Sequence, residues 1–138
     1  MTTTPLKKSD FNNLYAFWQK AGLQLYPEVA EEKRFYDMLD LNPDLCFCLV
    51  DENNEIMATI LGGFDGRTAT INRLAVHPQH QKKGLGSILI AELEKKLKVR
   101  GIKKIALMIH TKNTEVVPFY EKLGFAEMNY VKLYYKDI

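Results

Sequence analysis

The sequence predicts a mixed α/β fold: a sheet that is antiparallel in its N-terminal part, continues through a parallel βαβ crossover and carries helices on both faces. Three observations carry this. Two helical stretches follow a short N-terminal strand, two strand-like runs then flank a short polar turn, and a strand–helix–strand succession follows. A length of 138 residues suits a single domain, residues 1–138, large enough to bury a core without staples.

Residues 2–6 read as a short edge strand, weakened by Pro5, which has no N–H for a ladder. Ser9 or Asp10 then caps a helix whose apolar residues Phe11, Leu14, Trp18 and Ala21 recur at helical spacing, and Gly22 stops it. Glu28–Leu41 reads as a second helix, acidic in its first turn, apolar at Phe35, Met38 and Leu39, and broken by Asn42-Pro43. Cys46–Val50 and residues 56–61 flank the polar turn from Asp51 to Glu55 and read as a hairpin. Asp65-Gly66 turns the chain into a strand over residues 68–76. Leu85–Val99 is then a helix burying Leu85, Ile88, Leu89, Leu93 and Leu97 and ending at Gly101. A strand over residues 104–110 completes a parallel crossover. A helix near residues 114–123 ends at Gly124, and residues 126–135 hold enough β-formers for another strand or hairpin.

Hydrophobic residues at 46% and charged residues at 26% exclude a disordered or fibrous chain. The longest mostly apolar stretch, residues 56–64, contains two glycines and is too short for a membrane span. No apolar block follows Met1, and Cys46 and Cys48 make no disulfide framework. The expectation is a cytoplasmic protein of a reducing compartment, with no membrane partner. The net charge of +2 is uneven, since residues 81–104 hold eight basic residues against Glu92 and Glu94. Most of these solvate a helix face, but Lys82 and Lys83 precede the helix and invite an anion. No basic stripe interleaved with aromatics is present, so nucleic acid is not expected as a partner.

The chemistry concentrates where a parallel strand meets the longest helix. Leu74, Ala75 and Val76 end the strand, and Lys82, Lys83, Gly84, Leu85, Gly86 and Ser87 open the helix. A helix start offers N–H groups without acceptors and the positive end of the dipole, which suits phosphate. Glycines allow close approach of a ligand to the backbone. The phosphate loop of nucleotide triphosphatases is absent, and a dinucleotide fingerprint would need glycine where Leu89 stands.

Gln81-x-x-Gly84-x-Gly86, preceded by Leu74-Ala75-Val76 and His77-Pro78, resembles the acyl-coenzyme A signature of the Gcn5-related N-acetyltransferase (GNAT) superfamily. A second segment, Asn113 followed by Phe119-Tyr120-Glu121-Lys122-Leu123-Gly124-Phe125, is similar to the superfamily's asparagine and F-Y-x-x-x-G-F block. The chain looks most like the small stand-alone bacterial members related to ribosomal-protein alanine N-acetyltransferase. The resemblance implies a GNAT-like fold and transfer of an acetyl group from acetyl-coenzyme A (acetyl-CoA) directly to a primary amine of a small-molecule or peptide acceptor. It also implies that Leu74, Ala75 and Val76 pair with the pantetheine arm, the Val76 N–H also polarising the thioester carbonyl. The N–H groups from Lys82 to Ser87 would wrap the diphosphate, with Lys82 or Lys83 beside it. Asn113 would bond the pantetheine or cap its helix, and Tyr120 would protonate the departing thiolate.

Several residues keep a second reading. The Tyr120 segment equally describes a helix stop, with Gly124 at C′ and Phe125 packing back on Tyr120. No carboxylate base is visible: Asn72 and Arg73 occupy the strand before Val76, and Met108 stands where the alanine-acetylating relatives carry glutamate. His110, water or an already neutral amine could take the proton. Asp65 in the Gly62–Arg67 loop could hold a cationic amine, or serve only its turn. His77, His80 and His110 have no ligand spacing, so no metal is expected, and Cys46 and Cys48 read as buried apolar residues. The alternative function is a coenzyme A-binding regulatory module without efficient transfer. A terminal strand over residues 131–135 would allow a homodimer.

Overall fold

One strand, β2 (Cys46–Val50), is buried at every position in the computed structural model, which describes residues 2–138. Burial on both faces requires a layer on each side. The strands pair in the order β1–β2–β3–β4–β5, where β1 is Thr2–Pro5, β3 is Ile56–Phe64, β4 is Ala69–Val76 and β5 is Ile105–Ala106. The first three pairings are antiparallel and the last is parallel, as the hairpin and the crossover required.

The chain divides into two compact units, Met1–Leu107 and Met108–Ile138. In the first, α1 (Phe11–Lys20) and α2 (Glu28–Leu41) cover one face of the sheet. Phe11, Leu14, Trp18, Phe35 and Leu39 pack there with Cys46, Cys48 and Val50, and Trp18 meets Phe35 edge-on at 5.9 Å. The opposite face carries α3 (Leu85–Val99). Two adjacent glycines of β3 report both layers, because successive residues point to opposite faces. A Cβ at Gly62 would lie 2.5 Å from Leu93 Cδ1 of α3 and 2.8 Å from the Leu45 carbonyl oxygen. A Cβ at Gly63 would lie 3.3 Å from Met38 Sδ of α2 and 2.9 Å from Thr70 Oγ1. These glycines admit the helices, and β3 therefore runs through them to Phe64 instead of stopping at residue 61.

The sequence expectations need correction in three further places. On α3 the buried set is Leu85, Leu89, Ile90, Leu93 and Leu97, while Ile88 is exposed. The burying stripe follows the i, i+4 row from Leu85 and takes Ile90 one position off it. The last strand is shorter than residues 104–110: only Ile105 and Ala106 find ladder partners, at Ala69 and Thr70. Residues 126–135 form no strand. Tyr130, Val131, Leu133, Tyr134 and Tyr135 are exposed, and β-propensity without a half-buried surface to fit does not make a strand. The strand over residues 131–135 expected to pair with a second copy is therefore absent.

The second unit contains one 3-10 turn, Thr114–Val116, and α4 (Val117–Lys122). Pro118 lies in the first turn of α4, where its missing N–H has no intrahelical acceptor to lose. The α-helix accordingly begins late in the expected range. Among the described residues no helix is long and apolar enough to cross a membrane.

Candidate functional site

Beyond Thr70, β5 gives β4 no partner, so the outer edge of Leu74, Ala75 and Val76 is set by strand geometry alone. The His77 N–H donates to the Met57 carbonyl at 2.8 Å, continuing the register in which Ala75 opposes Thr59. Alternation then turns the N–H and C=O groups of Leu74 and Val76 away from β3, onto the free edge. Gln81 Nε2 donates to the Val76 carbonyl oxygen at 3.4 Å, from that edge.

From Val76 the chain passes through a short 3-10 turn, Pro78–His80, and reverses through Lys82 and Gly84 at φ 62° and 79°. Gly84 is the N-cap of α3, and a Cβ there would meet nothing within 4 Å. Its left-handed backbone is one that glycine adopts without penalty. The first helical bond runs from the Ile88 N–H to the Gly84 carbonyl at 3.1 Å. The N–H groups of Leu85, Gly86 and Ser87 have no acceptor within the helix. No side chain caps this end, and no acidic residue stands in its first turn. Lys82 and Lys83 are exposed and, among the described residues, not ion-paired. The structure thus brings Leu74, Ala75, Val76, Lys82, Lys83, Gly84, Leu85, Gly86 and Ser87 onto one strand end and the helix start that follows it. Lys83, His80 and Leu85 also line a cleft of about 410 Å³ with Asp51 and Glu52.

In the second unit, Asn113 is the N-cap of the 3-10 turn at Thr114–Val116 without a side-chain cap bond. Tyr120 lies on α4, and the helix stop read from the sequence is present in full. Gly124 sits at φ 95°, its N–H bonds the Glu121 carbonyl at 3.0 Å, and the Phe125 N–H bonds the Tyr120 carbonyl at 3.1 Å. The Phe125 ring meets Tyr120 edge-on at 5.6 Å. Burial pushes the Tyr120 phenol above its ordinary value.

The remaining candidates make local hydrogen bonds. Asp65 Oδ1 accepts from the Arg67 and Thr68 N–H groups at 2.8 and 2.7 Å, and these bonds hold its carboxyl below the usual range. That oxygen is occupied by its own turn. His110 Nδ1 accepts from the Lys112 N–H, and His77 Nδ1 from the Gln79 N–H, each at 3.1 Å. Partial burial, aided by Lys20 and His80, lowers the His77 pKa. Among the described residues no cluster of three His, Cys, Asp or Glu could hold a metal ion. Cys46 and Cys48 are buried free thiols, pushed by burial to about 12 and about 11.

Sequence reasoning missed a buried network beside this strand. Glu31 of α2, 3% exposed, accepts from Arg73 NH2 at 2.7 Å and from Arg73 Nε at 3.3 Å. Trp18 Nε1 donates to Thr59 Oγ1 at 3.0 Å, and Thr59 Oγ1 donates to the Arg73 carbonyl at 2.9 Å. Arg73 itself has φ 49°, inside a strand, where the β3–β4 register shifts. Glu31 could have been flagged only as an acid on the apolar row that leads to Phe35 and Leu39. A left-handed arginine leaves no mark in sequence.

The sequence profile of the acetyltransferase (GNAT) family matches residues 11–125. An acetyltransferase of Pectobacterium atrosepticum is 35% identical over 127 residues, covering 92% of this chain and 89% of that protein. Among solved structures, ribosomal-protein alanine N-acetyltransferase from Escherichia coli is 26% identical, with a TM-score of 0.75 over 93% of this chain and 79% of that one. The NatB acetyltransferase complex bound to CoA and MES has the same fold, with a TM-score of 0.81 at 21% identity over 94% and 86% of the two chains. A profile spanning most of the chain and a relative above 30% identity across nearly all of it leave one assignment: this chain is an acetyltransferase of the GNAT family.

Proposed function

We propose that the chain is an acetyl-CoA-dependent N-acetyltransferase that moves the acetyl group directly to a primary amine, with residues 1–138 acting as one catalytic domain. The observation that carries the reading is the left-handed Gly84, which joins the free edge of β4 to an uncapped first turn of α3 beside two unpaired lysines. Backbone N–H donors, the positive dipole end and lysine charge are the donor set that a diphosphate requires. The free edge at Leu74, Ala75 and Val76 can accept an extended amide-bearing chain as an added strand, which suits pantetheine. Acetyl-CoA supplies an activated acyl group on a thiol leaving group.

The chain's own residues then divide the work. The N–H groups from Lys82 to Ser87 bind phosphate oxygens, with Lys82 and Lys83 lending charge from the side. The Val76 N–H holds the acyl oxygen and is strongest where negative charge develops on it. Asn113 is assigned to the pantetheine and Tyr120 to protonation of the departing thiolate, both on the strength of the F-Y-x-x-x-G-F block. A phenol carries its proton throughout the neutral range and can donate it, or a hydrogen bond, to a thiolate held against it. No side chain is assigned as the base, since the Asp65 oxygen serves its turn and Glu31 is committed to Arg73. The acceptor is an amine on a small molecule or peptide, and the two buried free thiols suit a cytoplasmic setting.

The test is thiol release from acetyl-CoA across a panel of primary amines, with Tyr120→Phe as control. Amine-dependent release that falls in Tyr120→Phe with unchanged coenzyme A affinity is expected. Tight cofactor binding without turnover on any amine would instead support the regulatory module.

A further inference from the structure

We propose that Glu31 and Thr59 are positioning residues that hold the bulge of β4 at Arg73 and thereby aim the Leu74 and Val76 N–H groups along the free strand edge. The inference rests on the cofactor reading of that edge. The register of β3 on β4 changes by one residue between the pairs Thr59–Ala75 and Leu61–Asn72, so β4 carries one extra residue there. Because strand periodicity is two, that residue decides which edge every later N–H faces. Without it, Val76 would turn its N–H into β3 and present nothing to a ligand.

Arginine does not choose φ 49° unaided, and such a conformation persists only where its surroundings hold it. Two separate contacts do so. Thr59, fully buried, donates to the Arg73 carbonyl at 2.9 Å and is itself fixed by the Trp18 indole at 3.0 Å. Glu31 takes the guanidinium through both carboxylate oxygens. Glu31 Oε1 also accepts from the Tyr26 N–H at 3.2 Å, so the loop between α1 and α2 is tied to the same point. A buried carboxylate retained on a helix face otherwise devoted to packing needs such a partner to be tolerated.

The test compares Glu31→Leu, Thr59→Val and the double variant Glu31→Leu/Arg73→Gly by amide NMR of the free chain and by calorimetry with coenzyme A. Glycine adopts positive φ without penalty, so at position 73 it keeps the bulge without a clamp. In Glu31→Leu and Thr59→Val the Leu74, Ala75 and Val76 amide signals should move or broaden, and coenzyme A affinity should fall about tenfold. The double variant should restore both to within about threefold. Unchanged amides in a folded Glu31→Leu or Thr59→Val, or a double variant that stays impaired, would overturn the proposal. Thr59→Val, nearly isosteric, decides the matter if Glu31→Leu does not fold. Should the wild-type chain fail to bind coenzyme A, the cofactor reading falls while the amide signals still judge the clamp.

Discussion

The Gln81 side chain closes back on the last residue of β4, its Nε2 lying 3.4 Å from the Val76 carbonyl oxygen. That bond ties the first residue of the Gln81-x-x-Gly84-x-Gly86 segment to the strand edge it serves. In Gln81→Ala the carbonyl loses its partner and the turn before α3 loosens. One net hydrogen bond is worth about 1 kcal/mol, so coenzyme A affinity should weaken about fivefold by calorimetry. Gln81 is exposed, and the melting temperature should hardly change.

Ser87→Asp separates the helix from its ligand. A carboxylate in the first turn of α3 suits the dipole and should stabilise the free chain by about 0.3–1 kcal/mol. The same charge repels a diphosphate. The melting temperature should hold or rise while coenzyme A binding drops at least about tenfold, and a parallel loss of both would speak against the phosphate role.

Much of this arrangement was legible beforehand because it depends on local chemistry. Gly22, Gly101 and Gly124 read as helix stops, and all three are left-handed. The hairpin, the span of α2 and the span of α3 follow from apolar spacing and turn residues. What escaped is what only tertiary neighbours decide. Gly62 and Gly63 read as a loop, yet they are strand residues made small by Leu93 and Met38. Glu31 is one of the acids in the first turn of its helix, and nothing local marks it as buried against Arg73 from a distant strand. The tail, residues 126–135, reads as a strand or hairpin from its β-formers, yet it forms no strand.

Gly62→Ala tests the packing reading. Its Cβ would stand 2.8 Å from the Leu45 carbonyl oxygen, a backbone atom that cannot swing away as Leu93 can. Overpacking of this kind costs about 1–3 kcal/mol, which thermal unfolding should register as a clear loss.

The two cysteines should be inert in the folded chain. With thiols at about 12 and about 11, their thiolate fractions at pH ~8 are minute, and both side chains are buried. A thiol-specific disulfide reagent should label neither within the native lifetime and both after denaturation.

Tyr120 carries a pH signature. Burial raises its phenol above the ordinary value near 10, so the folded chain keeps a proton that the unfolded chain releases there. The resulting stability is complete below pH ~10 and is lost as pH climbs through the folded value. A spectrophotometric tyrosine titration should show a late component that Tyr120→Phe lacks. Turnover should fall on the alkaline side only as that component titrates.

Calorimetric titration of the intact chain with coenzyme A, run beside ATP and NAD, addresses the central claim directly. Saturable heat with one equivalent of coenzyme A is expected, with much weaker heat from the other two nucleotides. No heat with coenzyme A, free or acetylated, or equal heat with all three, would contradict it.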